Sequence, residues 1–106
     1  MADVTKKIAD DFVAEAQDDY VGLWSLLWRV REYTGESSQE RVRGIVLYIL
    51  SDLLRRQLIV AGTFTSDSEF VTWASSVDLT VTEIERQWLQ LGREPDIGDI
   101  VWFKSP

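Results

Sequence analysis

The chain contains no cysteine and no histidine. Lack of cysteine excludes disulfides and thiol nucleophiles. Lack of histidine excludes a Ser-His-Asp triad, a Cys-His dyad and any imidazole metal ligand. Lysine is also scarce: Lys6, Lys7 and Lys104 all lie near the termini, so a serine nucleophile has no well-placed lysine base. No apolar run approaches the 18 residues or so of a membrane span, and no secretory leader pattern opens the chain. The phosphate-binding motifs G-x-x-x-x-G-K-[ST] and G-x-G-x-x-G are missing, as is the nucleophile elbow G-x-S-x-G. These absences predict a soluble, cytoplasmic protein that is not an enzyme and needs no cofactor and no metal.

What is present is a core and an acidic charge. The 106 residues are 45% hydrophobic, enough for one globular domain spanning residues 1–106. The formal net charge is −7. Residues 1–28 hold six acids against two lysines, residues 29–56 hold six arginines against four acids, and residues 57–106 hold eight acids against three bases. Five tryptophans, Trp24, Trp28, Trp73, Trp88 and Trp102, read mainly as core bulk.

The longest apolar stretch is Arg41–Phe64, and the rest of the chain needs it to pack on. Val42, Ile45, Val46, Ile49 and Leu53 recur at helical spacing, and Leu47, Tyr48, Leu50 and Leu54 fill much of the remaining circumference, predicting a helix with neighbours on more than one side. Ser37 or Ser38 serves as its N-cap, and Arg55-Arg56 suits its C-terminus. Gly44 calls for either a close-packed neighbour or a bend. Leu58–Phe64 reads as a strand leaving this helix. Upstream, residues 3–17 form a helix with Ile8, Phe12, Val13 and Ala16 inward. Asp18-Asp19 offers a break and a new N-cap. Tyr20–Tyr33 is helical, with Leu23, Trp24, Leu27, Trp28 and Val30 packing, either as a second helix or as a bent continuation of the first. Gly35 ends it. Downstream, residues 69–74 fit a strand or a helical turn equally. Thr80-Val81-Thr82-Glu83 matches a capping box for a helix carrying Ile84, Trp88 and Leu91 inward and ending at Gly92. Ile100–Phe103 is a final strand. The expected fold is a small α+β domain. Three to four helices surround a central helix beside a two- or three-stranded sheet, and winged-helix folds share that description.

Three chemistries compete. Asp10/Asp11, Asp18/Asp19 and the group Glu94, Asp96, Asp99 could hold Mg²⁺ or act as acid and base. Adjacent acids on a helix diverge by roughly 100°, however, and the third group lacks calcium-loop spacing, so a solvated acidic surface is the better account. Arg29, Arg31, Arg41, Arg43, Arg55 and Arg56 could contact nucleic acid, with Arg41 and Arg43 foremost in a winged helix. A chain of pI about 4.4 repels phosphate, so nucleic acid is disfavoured. The third is recognition of a basic protein by the acidic surface, where charge speeds encounter.

One half of the chain supports this third reading by resemblance. Leu54-x3-Leu58-Ile59-x-Ala61-Gly62, Phe70-x2-Trp73, Ile84-x3-Trp88-Leu89-Gln90-Leu91-Gly92-Arg93-Glu94-Pro95 and Ile97-Gly98-Asp99-Ile100-Val101-Trp102-Phe103 together resemble small bacterial immunity proteins of contact-dependent and related polymorphic toxin systems. The resemblance implies a protein that blocks a cognate basic toxin domain, such as a nuclease, by binding it. The expected contact residues are Asp10, Asp11, Glu15, Asp18 and Asp19 near the N-terminus and Asp78, Glu83, Glu85, Glu94 and Asp96 in the second half. Tyr20 and Trp73 are the expected exposed aromatic anchors.

Overall fold

A computed structural model describes residues 2–106. The elements run α1 (Ala2–Asp18), β1 (Val21–Gly22), α2 (Leu23–Thr34), α3 (Gln39–Arg55), β2 (Val60–Phe64), β3 (Phe70–Thr72), α4 (Val77–Leu91) and β4 (Trp102–Lys104). The strands form one antiparallel sheet in the order β1-β4-β2-β3. The fold is the small α+β domain expected, with four strands instead of two or three. Through β3 the order is three helices followed by a hairpin, as in the winged-helix description. The added α4 and β4 depart from it, because β4 inserts between β1 and β2.

The central helix is α3. Ser38 caps it by accepting a hydrogen bond from the Arg41 backbone N–H. Val42, Val46, Ile49, Leu50 and Leu53 are buried on it, and it lies against α2 and α4. Its end is a Schellman turn: Gln57 takes φ 59°, Leu58 N–H reaches the Leu53 carbonyl and Gln57 N–H reaches that of Leu54. Gly44 has neither a close-packed neighbour nor a contact within 4 Å of where a Cβ would stand, so close packing does not account for it.

α1 turns Ile8, Phe12 and Ala16 inward at i, i+4, i+8. A short strand, not a helix, follows Asp18-Asp19. Val21-Gly22 pairs with Phe103-Trp102, Gly22 takes the N-cap position of α2, and Tyr20 is left outside the helix. So α1 and α2 are two helices, and Asp19 is not the cap; its carboxylate accepts from the Tyr20 backbone N–H instead.

Two further boundaries shift. α4 begins at Val77, where the Ser76 side chain accepts from Leu79 N–H. The capping box at Thr80 is therefore not used: Thr80 is buried in the helix, and Glu83 bonds forward to Arg86 and Gln87. The last strand begins at Trp102 because Ile100 sits at φ 69° and Val101 N–H turns back to the Asp99 carbonyl, which breaks the extended backbone. Within residues 69–74, Phe70–Thr72 is a strand, and Trp73 N–H donates to the Ala61 carbonyl just beyond it.

Strand alternation gives the sheet two unlike faces. Val21, Phe103 and Ala61 form one cross-strand row turned toward the helices, and all three are buried. Phe103 meets Phe12 of α1 edge to face at 5.7 Å. Gly22, Trp102, Gly62 and Thr72 form the next row on the opposite face, with Phe64 and Phe70 beside it.

Only Trp88 among the five tryptophans is fully buried, and Trp73 packs against the core while partly exposed, so the reading as core bulk holds for these two and not for Trp24, Trp28 and Trp102. Trp28 is 53% exposed, and Trp24, Trp73 and Trp102 are half-buried. Helical periodicity counts apolar positions, and it does not tell a core ring from one lying on an outer face.

Candidate functional site

The outer face of the sheet carries a cluster of exposed and half-buried rings. Tyr20 packs on Phe64 at 4.9 Å and on Phe70 at 5.1 Å between centroids. Phe64 meets Phe70 at 5.5 Å and Trp102 at 5.6 Å, both edge to face. Tyr20 is 43% and Phe64 37% exposed. Two glycines make room for this layer. A Cβ on Gly62 would fall 2.5 Å from both the Phe70 ring and the Val71 carbonyl, and one on Gly22 would fall 2.8 Å from the Trp24 ring. The rings of Phe70 and Trp24 thus lie across bare backbone on either side of Trp102. Trp28 and Tyr48, the other exposed rings, join no ring contact among the described residues.

The ion pairs decide which acids are left unpaired. Lys6–Asp10, Lys7–Asp11, Arg29–Glu15, Arg31–Glu94, Arg41–Glu36, Arg55–Asp78, Arg56–Asp52, Arg86–Glu83 and Arg93–Asp99 are all internal. Among the described residues, Arg43 and Lys104 are the cations outside such pairs. Among the same residues the acids outside such pairs are Asp3, Asp18, Asp19, Glu32, Glu40, Asp67, Glu69, Glu85 and Asp96. These nine acids and two bases account for the whole net charge of −7.

Four of those nine flank the aromatic cluster. Asp18 and Asp19 lead directly into Tyr20, and Asp67 and Glu69 lie in the turn between Phe64 and Phe70. Ring contacts between Tyr20 and both phenylalanines bring the two acidic turns together. Apolar rings beside unpaired charge, here four carboxylates and Lys104, resemble the apolar centre and polar rim common in protein interfaces.

The sequence-predicted contacts therefore separate into groups. Asp18, Asp19 and Tyr20 fall on this surface. Asp10, Asp11, Glu15, Asp78, Glu83 and Glu94 are held by the chain's own bases. Glu85 and Asp96 are exposed and unpaired, away from the rings in sequence; Asp96 accepts from Ile97 N–H. Trp73 is not an exposed anchor. It packs against the core and lines an apolar depression of about 300 Å³ with Leu54, Ile59, Ala61 and Val77. Phe64, Phe70, Trp102, Asp67 and Glu69 went unrecognised as site residues. Their signal was the spacing of Phe64 and Phe70 about a polar turn, which pairs them across a hairpin.

The competing chemistries find little in the geometry. No group of three or more metal-donor side chains lies together among the described residues. A depression of about 390 Å³ holds Asp10 and Asp52, each already paired to Lys6 or Arg56. Of the six arginines considered for nucleic acid, five are paired to internal carboxylates and only Arg43 is not. No helix among the described residues is long and apolar enough to cross a membrane.

Several carboxylates are held below their ordinary range. Hydrogen bonds from Arg86 and then Gln87 lower Glu83 from 4.5 to about 2. Hydrogen bonds from Tyr33 and Lys7 lower Asp11, the Ser38 backbone N–H lowers Glu36, and Arg93 with the Asp96 N–H lowers Asp99. A carboxylate depressed in the folded state contributes stability above its unfolded pKa, and that contribution is lost as pH falls through the folded value. Urea midpoints are therefore expected to stay level from neutral pH to about 5 and to fall between 4.5 and about 2. Glu83→Gln should flatten part of that slope. A midpoint that rises on acidification would contradict the assignment.

Comparison with protein-family models, with curated proteins and with solved structures finds no match.

Proposed function

We propose that the chain is a non-enzymatic binding protein that neutralises a basic protein, in the manner of an immunity protein blocking a cognate toxin domain such as a nuclease. It acts in the cytoplasm and covers the active or substrate-binding face of its target. One observation carries the reading: the cluster of Tyr20, Phe64, Phe70 and Trp102, in which Tyr20 and Phe64 are exposed and Phe70 and Trp102 half-buried, is flanked by four unpaired carboxylates. Exposed ion pairs contribute about 0–1 kcal/mol each, so charge alone does not make a tight complex. Aromatic anchors inside a charged rim supply the missing affinity, while the carboxylates steer encounter.

The test uses the product of the adjacent reading frame, expressed with and without this chain. Binding and suppression of its toxicity are expected. Neutralising Asp18, Asp19, Asp67 and Glu69 to their amides should slow association about 10-fold at low salt. Tyr20→Ala with Phe64→Ala should speed dissociation about 30-fold, the equivalent of a ~2 kcal/mol anchor. If the neighbouring product is neither bound nor inhibited, while duplex DNA binds with steep salt dependence, the reading fails in favour of a regulator.

A further inference from the structure

We propose that the partner docks by strand addition: an extended, arginine- or lysine-bearing segment pairs with the free edge of β3 and lays its basic side chains across the aromatic face. This rests on the reading of the chain as an acidic binding protein.

The backbone supplies the first argument. β3 is the last strand on its side of the sheet. Thr65 N–H bonds the Glu69 carbonyl and Trp73 N–H bonds that of Ala61, so Thr63 and Val71 between them form the next hydrogen-bonded pair. The intervening residues Phe70 and Thr72 sit in non-hydrogen-bonded pairs with Phe64 and Gly62. Alternation then turns the N–H and C=O groups of Phe70 and Thr72 away from β2, toward the open edge. The opposite edge offers no such site: β1 is two residues long, buried, and runs straight into α2.

The second argument is the edge's composition. Natural edge strands are blunted by lysine, proline or a bulge. β3 reads Phe70-Val71-Thr72, with Trp73 next, all favourable strand residues, and Val71 is 49% exposed on the face opposite the rings. Such an edge invites a strand.

Charge selects the occupant. A second copy of this chain would bring −7 against −7 and set Asp67 and Glu69 near their own kind. A cationic strand meets complementary charge instead. In an antiparallel addition, the residues opposite Phe70 and Thr72 project onto the same face as Phe70, Phe64 and Tyr20. A guanidinium there stacks on rings and reaches the carboxylates of the two turns. The face already accepts one cation, with Lys104 Nζ 5.8 Å from the centre of the Phe70 ring.

The experiment titrates the full chain with a capped heptapeptide of alternating arginine and valine and with two N-methylated isomers, one blocked on the arginine nitrogens and one on the valine nitrogens. Strand addition predicts that the arginine-blocked isomer binds about 10-fold more weakly than the parent, that the valine-blocked isomer is tolerated, and that exchange of the Phe70 and Thr72 amide protons slows on binding. Thr72→Pro removes an N–H that faces solvent, so the fold should survive while peptide binding is lost. If that variant does not fold, the two isomers decide the question on the unaltered protein. Equal binding of all three peptides, with shifts confined to the aromatic rings, overturns strand addition and leaves acid-and-ring recognition standing. No binding of the parent peptide at about 1 mM also overturns it. Failure of the neighbouring product to bind is the separate result that removes the functional reading.

Discussion

Phe103→Ala is expected to cost about 3–5 kcal/mol, a large share of the roughly 5–15 kcal/mol that holds a domain of this size together. Phe103 is 0% exposed. It stands in the middle of the inner row of the sheet, between Val21 and Ala61, and its ring meets Phe12 of α1. Deletion of the ring removes that contact and leaves a cavity between sheet and helix, where two rigid layers cannot collapse toward each other. Trp102→Ala, one residue away on the other face, removes a larger ring but leaves no enclosed void. It should cost distinctly less. Urea unfolding of both variants checks the ordering; a Trp102 variant less stable than the Phe103 variant would mean that the outer ring layer is the true core.

That contrast also marks how much the sequence reveals. The stripes of α1 and α3 are legible because Ile8, Phe12 and Ala16, or Val42, Val46, Ile49 and Leu53, repeat at one period and each set is buried as a unit. Gly35 and Gly92 end α2 and α4 where expected. The strands are harder. Val21-Gly22 is too short to show an alternation, and it exists only because β4, some 80 residues on, pairs with it. The same long-range pairing sets Trp102 outward and Phe103 inward, a choice that four consecutive apolar residues leave open.

The site was half legible for a related reason. Charge counts are additive along a chain, whereas availability depends on pairing in space. Arg29 and Arg31 lie in segments remote from the acids they hold, so Glu15 and Glu94 read as free until the helices are packed, whereas Lys7 holds Asp11 within the same helix. Asp18 ends α1 and Asp19 follows it, and neither forms an ion pair among the described residues. Tyr20 is recognisable as an exposed aromatic, but its ring partners come from a hairpin that local pattern leaves undecided at residues 69–74.

Glu15→Ala is expected to cost about 2–3 kcal/mol through the partners it abandons. Its Oε1 accepts from the Ser25 hydroxyl at 2.9 Å and from Arg29 at 2.7 Å. Ser25 is buried and the Arg29 side chain is only 18% exposed. Burial opposes the charge on Arg29, and the hydrogen bond and charge of Glu15 more than offset it, so the guanidinium is held more firmly protonated than usual. Arg29 Nε already lacks a partner, and the nearest other carboxylate, Asp11, stands 3.9 Å away and is engaged by Tyr33 and Lys7. Loss of Glu15 would therefore strand a largely buried cation. Arg29→Met should cost less, because Glu15 is 38% exposed and can turn to water. The double variant should be more stable than the sum of the singles by about 1–2 kcal/mol. Lys6→Ala, which opens a pair with side chains 75% and 60% exposed, should change stability by no more than about 0.5 kcal/mol. The same variants separate structure from recognition: Glu15→Ala should lower the unfolding midpoint and leave affinity for the proposed basic partner unchanged in the folded fraction, whereas Asp19→Asn should do the reverse. Equal losses of affinity from both would return the N-terminal helix to the contact surface.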